Sequence, residues 1–355
     1  MLFRSQLAAR KINQLMIYME DDFQFKAYPF LGRPGTMDAS KALELSEYAH
    51  KHQMQLIPQY ESLGHAGAVL SHPELEQLRE AGDAWVFCTS EPKTWEFLDT
   101  VMGELAQAFP YSPFIHIGGD EFEWSFGKCP QCKAYVEKQS KGALYALHMS
   151  RLNELVKKRG KQMLFWTAKD RFGSGEEEIS LEYADLMPID SIPFEWIYHG
   201  PSAYPTLAKY KEAGFENMYA CPSVVDYSRI WPDYPTTFRS IQTFYNAAQV
   251  EEVRGVCCTT WELMYGALYE NSWYGMVYSA EAAWNTATPP GLWYDRKFAK
   301  DWFGVEGAGA AELVRKGLYE AGILGAPAPW GSSYEVSKLC WLPNQAFIER
   351  AGNDI

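Results

Sequence analysis

The chain has 355 residues, 47% of them hydrophobic, and a formal net charge of −13 at pH 7. This length and apolar content are enough for one large core, and the negative charge without a long Lys/Arg run argues against nucleic acid or an anionic membrane as partners. Aromatic residues make up 15%, with 13 Trp and 22 Tyr, and flat rings with polar edges favour a neutral partner such as a sugar.

The first residues, Met1 to Arg10, contain no apolar stretch long enough for a signal peptide, and the chain has no apolar run of about 18 residues that could cross a membrane. The seven cysteines are an odd number. The adjacent pair Cys257 and Cys258 lies in an apolar run, which is typical of buried reduced thiols. We therefore expect a cytoplasmic protein.

Short apolar runs rich in strand-forming residues alternate with longer amphipathic segments along the chain. The strand-like runs are 12–19, 54–58, 114–118, 163–167, 192–196, 218–222 and 256–260, and the segments with helical periodicity are 39–52, 94–109, 143–159 and 237–250. This alternation predicts an α/β fold, a (β/α)8 TIM-type barrel, whose active site forms at the C-terminal ends of the strands.

Seven strands can be counted where a complete barrel has eight, and the strand that is missing is the first. We expect residues 1–305 to form the barrel and residues 306–355 to be a C-terminal extension packed on it. A helix is expected near 297–303 and a loop around 325–333. Because an open seam would leave backbone groups unpaired, we expect it to be filled by another segment of the chain or by a second copy in a homodimer.

The spacing of Cys129-Pro-Gln-Cys132 is that of a metal knuckle or a redox pair. Neither a second Cys-x-x-Cys nor a nearby His pair completes a four-ligand zinc site in the sequence. A staple within the loop or two idle thiols is therefore the favoured interpretation, and metal binding is the alternative. We expect no metal and no cofactor.

The most informative motif is His116-Ile-Gly-Gly-Asp120-Glu121, in which an apolar strand gives way to a glycine pair and then to two adjacent carboxylates. The glycines free the backbone to leave the sheet, so the acidic pair is expected at the C-terminal end of the strand. His116 and Glu123 are further candidates within the same few residues. A solvated acidic loop is the alternative, but the buried strand and the glycine pair favour a functional site.

If the missing first strand is counted, this motif lies on the fourth strand of the barrel. In this respect the chain resembles the family 20 glycoside hydrolases, the β-N-acetylhexosaminidases. The resemblance covers roughly residues 10–305, and its Asp-Glu motif is the specific part. Other segments that are similar to the family are Tyr18-Met-Glu-Asp-Asp22, Ile57-Pro-Gln-Tyr60 with Leu63-Gly-His-Ala66, Phe165-Trp166, Glu195-Trp196 and Thr260-Trp-Glu262.

The resemblance implies substrate-assisted catalysis, in which the carbonyl oxygen of the sugar's 2-acetamido group attacks the anomeric carbon and forms an oxazolinium ion. Glu121 would protonate the leaving glycosidic oxygen and later deprotonate water. Asp120 would accept the acetamide N–H and stabilise the developing positive charge. Adjacent carboxylates suffice for this reaction, because the substrate itself supplies the nucleophile.

The resemblance also implies a sugar pocket. Trp166, Trp196 and Trp261 would cover the acetamido methyl and the sugar face, although each could be a core residue. Tyr227, with Tyr219 as its rival, would bond the acetamide oxygen. His65 would support the acid/base carboxylate or a sugar hydroxyl, with a histidine packed in a turn as the alternative. Asp21 would anchor His65 or lie in a solvated acidic loop, and Glu262 is the last candidate.

Two departures from the family pattern concern recognition of the sugar's 4-hydroxyl. The family's first strand carries an arginine that holds the 3- and 4-hydroxyls, and no such strand is found here. The usual Trp-x-Glu of the eighth strand is the contiguous pair Trp261-Glu262. We therefore expect an exo-acting enzyme that accepts terminal β-linked N-acetylhexosamine and leans toward N-acetylgalactosamine over N-acetylglucosamine.

Two other functions remain open from the residues. One is a metal-dependent barrel hydrolase with His116, Asp120 and Glu121 as ligands, although no HxH pair occurs on an early strand. The other is a sugar-binding protein that kept the fold without turnover. The retained Asp-Glu pair argues against the second.

Overall fold

A computed structural model of the chain describes residues 7–168, 181, 183–227, 229, 231–261, 268–287 and 290–320. The chain divides into two compact units. The first unit comprises Met1–Glu195 with Ala208–Met218, and the second comprises Trp196–Leu207 with Tyr219–Ile355.

The first unit alternates strands and helices. Its elements are β1 (Gln14–Met19), α1 (Ala39–Lys51), β2 (Gln55–Tyr60), α2 (Gly67–Leu70), β3 (Arg79–Glu80), β4 (Asp83–Phe87), α3 (Pro92–Ala108), β5 (Phe114–His116), α4 (Pro130–Lys138), α5 (Lys141–Lys157), β6 (Gln162–Trp166) and β7 (Ile192–Trp196), with 3-10 turns at Pro73–Leu78 and Ala184–Leu186. The last residue of β7 belongs to the second unit, and helix α6 (Pro205–Glu212) has residues in both units.

Strands β1, β2, β5, β6 and β7 are neighbours in this order and pair in parallel. Gln59 of β2 is opposite His116 of β5, and His116 is opposite Leu164 of β6. Strand β5 is buried at every position, as expected for a parallel sheet covered on both faces. The C-terminal ends of β2, β5 and β6 are therefore held side by side.

Local sequence determines where the helices begin. The side chain of Asp38 accepts a hydrogen bond from the N–H of Lys41 at 2.7 Å and caps α1. Ser140 caps α5 in the same way through the N–H of Ala143. Proline occupies the first turn of both α3 and α4, where its missing N–H costs no hydrogen bond.

The antiparallel pair β3 and β4 was not predicted. Its strands are two and five residues long, too short for a periodicity signal, and the register shifts between Arg79 and Glu80. The turn Ala81-Gly82 has positive φ angles of 52° and 83°, which suits a tight hairpin connection. This hairpin approaches the segment after β2, because the N–H of Phe87 donates to the carbonyl of Leu63 at 2.9 Å.

The second unit contains the parallel pair β8 (Tyr219–Cys221) and β9 (Gly255–Val256), extended by a bridge between Ser223 and Thr259. Its helices are α7 (Tyr234–Val250), α8 (Trp273–Trp284), α9 (Leu292–Phe303) and α10 (Ala308–Val314), with a 3-10 turn at Tyr269–Ser272 and a π-helical turn at Arg315–Tyr319. Aromatic rings pack among these helices, and Phe238 lies within 4.4–5.8 Å of the ring centroids of Tyr274, Tyr278 and Tyr294. These four rings therefore form part of the core of this unit.

The predicted alternation is confirmed. Each of the seven predicted strand runs overlaps an observed strand, although the run 256–260 shares only Val256 with β9. The helical segments agree within a few residues, and the helix near 297–303 is part of α9. The first strand within the described residues is β1. The boundary between 305 and 306 stays a prediction, and the loop around 325–333 lies outside the described residues. No described helix is long and apolar enough to span a membrane.

Candidate active site

The acidic pair follows a strand that leaves the sheet at two glycines. The carbonyl of Gly118 still accepts the N–H of Trp166 at 2.9 Å, and the φ angles of Gly118 and Gly119 then turn positive, to 70° and 101°. A Cβ on Gly118 would lie 1.7 Å from Glu61 Oε2. Glycine is therefore required at Gly118 both for its backbone conformation and for the close approach of a buried carboxyl.

His65 lies against both carboxylates of the predicted catalytic pair. Its Nε2 is 2.9 Å from Glu121 Oε2 and 3.9 Å from Asp120 Oδ2. Burial by itself would lower the pKa of His65, but the hydrogen bond to Glu121 and the charge of Asp120 raise it to about 9. His65 is thus an imidazolium at neutral pH and donates a charge-assisted hydrogen bond to Glu121.

The backbone on both sides of this contact is in the left-handed region. The φ angle is 47° at Glu121 and 52° at His65, a conformation that side chains other than glycine adopt rarely and at a cost of about 1–3 kcal/mol. Trp85 Nε1 donates to the carbonyl of Glu121 at 2.8 Å and helps to hold this conformation. A Cβ on Gly64 would lie 2.1 Å from the carbonyl oxygen of Asp120, so the glycine before His65 lets the two segments meet.

Two further carboxyls lie near the pair, and one of them, Glu61, was missed in the sequence. Glu61 is 2% exposed and accepts a hydrogen bond from Gln59 Nε2 at 2.8 Å. Burial, and then the charge of Asp120, raise the pKa of Glu61 well above its usual value. Burial also raises the pKa of Glu20, whose carboxylate accepts a hydrogen bond from the Tyr18 hydroxyl. We call Glu61, His65, Asp120 and Glu121 the carboxylate group.

A sequence signal for Glu61 did exist. It comes directly after β2, and the ends of β2 and β5 are neighbours. Parallel strands present the residues after their C-terminal ends at one edge, so Glu61 could have been placed beside the Asp-Glu pair. The β3–β4 hairpin, which brings Trp85 to Glu121, is antiparallel, so the rule for the ends of parallel strands could not place Trp85.

Asp21 pairs with Arg33. Its Oδ2 is 2.8 Å from Arg33 Nε, in a contact whose arginine side chain is 59% exposed. Asp22 accepts from the same guanidinium. The carboxylate of Asp21 is therefore held by Arg33, and its predicted roles as an anchor for His65 and in substrate binding stay predictions.

His116 and Trp166 lie in the core behind the acidic pair. Both are buried, with ring centroids 4.5 Å apart, and Phe194 packs on each of them. His116 Nδ1 accepts the N–H of Gly118 at 3.1 Å, and burial lowers the pKa of His116 well below its usual value. The ring is therefore neutral with its proton on Nε2, so neither nitrogen offers a lone pair to a metal ion.

The second unit brings three of the predicted pocket residues around a tyrosine that was not predicted. Trp261 Nε1 donates to the hydroxyl of Tyr198 at 3.1 Å. The ring of Tyr198 lies 5.5 Å from Trp196 and 5.9 Å from Tyr227 between centroids. We call Trp196, Tyr198, Tyr227 and Trp261 the aromatic group. Tyr198 could have been found, since it lies two residues beyond the end of β7.

Asp226 fixes the backbone of this group. It is 2% exposed, its Oδ1 accepts the N–H of Trp261 at 2.9 Å, and its Oδ2 accepts the hydroxyl of Ser272 at 2.7 Å. Burial raises the pKa of the neighbouring Tyr227, so its hydroxyl stays protonated and able to donate. The rival Tyr219 lies within β8, where its ring packs on Gly255. Glu262 lies outside the described residues.

Solved structures similar to the chain identify its fold. The chain aligns over 85% of its length with 66% of the beta-N-acetylhexosaminidase from Bacteroides fragilis, with a TM-score of 0.65 and 18% identity. It aligns over 93% of its length with 56% of the GH20 exo beta-N-acetylglucosaminidase from Vibrio harveyi, solved in complex with N-acetylglucosamine, with a TM-score of 0.61 and 18% identity. The fold is therefore the α/β, (β/α)8 TIM-type barrel that the sequence predicted.

Sequence comparisons define the family. Residues 4–180 match the model of glycosyl hydrolase family 20, catalytic domain. Beta-hexosaminidase subunit beta of Rattus norvegicus is 22% identical over 253 residues, which cover 64% of this chain and 44% of that protein. Hexosaminidase D of Homo sapiens is 27% identical over 221 residues, which cover 59% of this chain and 44% of that protein. The chain belongs to glycoside hydrolase family 20, and it spans less than half the length of these relatives.

Proposed function

We propose that this chain is the catalytic barrel of a retaining exo-β-N-acetylhexosaminidase. It releases terminal β-linked N-acetylhexosamine by substrate-assisted catalysis through an oxazolinium intermediate. The observation that carries the proposal is the carboxylate group, in which adjacent Asp120 and Glu121 lie 3.9 Å and 2.9 Å from one His65 nitrogen. Family membership supplies the reaction class.

In this reaction Glu121 is the general acid and base. Its carboxylate is oriented by the hydrogen bond from His65, and its backbone carbonyl is held by Trp85. Glu121 gives its proton to the leaving glycosidic oxygen and later takes one from the attacking water. The cationic His65 offsets the charge that Glu121 gains when it gives up this proton.

Asp120 acts through charge and orientation. It accepts the acetamide N–H, aims the acetamido oxygen at the anomeric carbon and stabilises the positive charge of the oxazolinium ion. Two carboxylates on opposite faces of the sugar are not needed, since the nucleophile comes from the substrate. The buried Glu61 beside Asp120 has a raised pKa, and in its neutral form it leaves Asp120 as the local anion.

The aromatic group is proposed to bind the sugar. Trp196 and Trp261 cover the acetamido methyl and the sugar face, and the protonated hydroxyl of Tyr227 donates to the acetamide oxygen. The family resemblance alone supports three further proposed substrate contacts, Asp21, Trp166 and Glu262. Within the described residues, Trp166 is 2% exposed, which supports a role behind the site more than a direct contact.

The acetamide mechanism predicts a specific inhibitor profile. An oxazoline or thiazoline analogue of the intermediate should bind at least about 10²-fold more tightly than the free N-acetylhexosamine, as transition-state-like ligands do. Affinity is measured by calorimetry or inhibition. Equal affinity for the analogue and the free sugar would contradict participation of the acetamido group.

The preferred sugar is proposed to be N-acetylgalactosamine, with N-acetylglucosamine accepted. The support is the contiguous pair Trp261-Glu262, which replaces the family's Trp-x-Glu in a segment that would contact the 4-hydroxyl. Parallel assays of chromogenic β-GalNAc and β-GlcNAc substrates test this directly. A kcat/KM that is higher for the β-GlcNAc substrate would contradict the proposed sugar preference, but it would leave the proposed mechanism unchanged.

The two alternatives make different predictions. A hydrolase with metal at Asp120, Glu121 and His116 should change its kcat when Zn²⁺, Co²⁺ or Mn²⁺ is supplied, because the ion would activate the water. The proposed mechanism gives one kcat with all three. The non-catalytic alternative predicts sugar binding without turnover, so sustained hydrolysis of either chromogenic substrate would exclude it.

A further inference from the structure

Four buried side chains of the first unit meet at a place that the proposed reaction does not use. Cys88 follows β4, Glu80 ends β3, and Cys129 and Cys132 lie at the start of α4. Their donor atoms all lie within 4.8 Å of one another. Spacing alone favoured idle thiols for Cys129 and Cys132, because the other members of this group are distant in sequence.

The distances between the sulfur atoms fit a tetrahedral metal centre. Cys88 Sγ lies 3.5 Å from Cys129 Sγ and 3.8 Å from Cys132 Sγ. Thiolates bound to one zinc ion at about 2.3 Å in a tetrahedron are separated by about 3.8 Å. The same distances are far longer than a disulfide bond, which is about 2.05 Å, and three thiols cannot all be paired by one disulfide.

Glu80 supplies a fourth ligand. It is 0% exposed, and its Oε1 accepts the N–H of Cys129 at 2.8 Å. Its Oε2 has no hydrogen-bond partner among the described residues. A carboxylate oxygen buried without a partner costs several kcal/mol of free energy, and a bound cation would remove this cost.

Donors around the sulfur atoms suit thiolates. The N–H of Cys132 donates to Cys129 Sγ at 3.3 Å, and the hydroxyl of Ser90 lies 3.1 Å from Cys132 Sγ. Cys129 is also the N-cap of α4, a helix of nine residues, whose N-terminal dipole favours negative charge. These groups offset part of the charge of three thiolates and one carboxylate.

We propose that Cys88, Cys129, Cys132 and Glu80 bind one structural Zn²⁺ ion. Binding forms three Zn–S bonds and one Zn–O bond, and each of the three thiols releases its proton to solvent. All four positions are filled by protein ligands, which is typical of a structural and not a catalytic zinc site.

The zinc ion would join two segments that hold the carboxylate group. The β3–β4 hairpin carries Trp85, whose indole N–H donates to the carbonyl of Glu121 and whose own carbonyl accepts the N–H of Ala66 at 3.1 Å. Cys129 and Cys132 follow the loop that carries Glu121. The site therefore stabilises the strained backbone at Glu121 from a distance, and no zinc atom takes part in hydrolysis.

The test is the metal content of the full chain, purified under reducing conditions without a chelator or a metal-binding tag. Elemental analysis by mass spectrometry should find about one Zn²⁺ per chain. Cys129→Ser should lose most of it, whereas Cys257→Ser, a cysteine outside the group, should retain it. Removing zinc should lower the Tm of the wild type and leave that of Cys129→Ser unchanged.

A second measurement covers the case in which Cys129→Ser does not fold. Wild-type protein reconstituted with Co²⁺ should show the thiolate-to-metal charge-transfer band and the intense d–d bands of a tetrahedral thiolate site. A chain that stays free of zinc after reloading, an octahedral Co²⁺ spectrum, or a disulfide between two of these cysteines in mass mapping would overturn the proposal. Because none of these readouts uses hydrolysis, they are independent of the proposed activity.

Discussion

The carboxylate group and the aromatic group are held by different forces. In the first, a charged contact joins His65 and Glu121, two of its four ionisable side chains, on a backbone with positive φ at both residues. In the second, neutral hydrogen bonds and ring packing position the side chains, and the buried Asp226 fixes the backbone N–H of Trp261. Under the proposed mechanism, changes in the first group should alter the chemical step, and changes in the second should alter sugar binding.

The largest effect is expected for Glu121→Gln. An amide cannot protonate the leaving oxygen, so kcat/KM for substrates with poor leaving groups should fall by about 10²–10⁴-fold. Aryl glycosides with very good leaving groups should keep much of their first-step rate. A series of substrates with graded leaving groups measures this, and equal losses along the series would argue against Glu121 as the acid.

A smaller loss is expected for Asp120→Asn, which keeps the shape and removes the charge. The first step should slow by about 10²–10³-fold, the scale of a lost electrostatic partner in the transition state. Azide should not restore the rate, since Asp120 is not a nucleophile in this mechanism. Mass spectrometry that trapped a sugar bound covalently to Asp120 would refute its assignment.

For the aromatic group, Trp261→Phe removes the N–H that donates to Tyr198 and keeps the backbone hydrogen bond to Asp226. A neutral hydrogen bond contributes about 0.5–1.5 kcal/mol, so KM should rise by roughly 2- to 10-fold with little change in kcat. Trp284→Phe, at a residue that is 64% exposed in α8, is the matched control. A fall in kcat with constant KM would break the proposed division between the two groups.

The two groups also differ in how far the sequence could predict them. Asp120 and Glu121 are adjacent and follow a glycine pair, so a local pattern sufficed. Trp196 and Trp261 were predicted from strand ends, but Asp226 was not, because its role is to accept a backbone N–H 35 residues away along the chain. Such a partner has no signature in spacing.

The fold was predictable for a similar reason. Parallel strands buried on both faces form continuous apolar runs, and helices have their own periodicity. The β3–β4 hairpin is too short for either signal. It nevertheless carries Glu80 and Trp85 and leads directly to Cys88. The contact to Glu121 and two of the four proposed zinc ligands, Glu80 and Cys88, were therefore hidden with it.

The last effect expected concerns the charge of His65, and it appears in stability and not in catalysis. The pKa of His65 in the folded chain is about 9, above its usual value of 6.5, so the folded state binds a proton that the unfolded state releases between these two pH values. The stabilisation is complete below pH 6.5 and is lost as the pH rises through about 9.

Denaturant unfolding of the wild type and of His65→Gln at several pH values measures this stabilisation. The free energy of unfolding should decline more steeply for the wild type than for His65→Gln across this range, because only the wild type loses the stabilisation from protonated His65. Other titrating groups are shared by the two proteins and cancel in the difference. Parallel pH profiles would mean that His65 is neutral in the folded chain, and the contact with Glu121 would then be an ordinary hydrogen bond without a charge to offset.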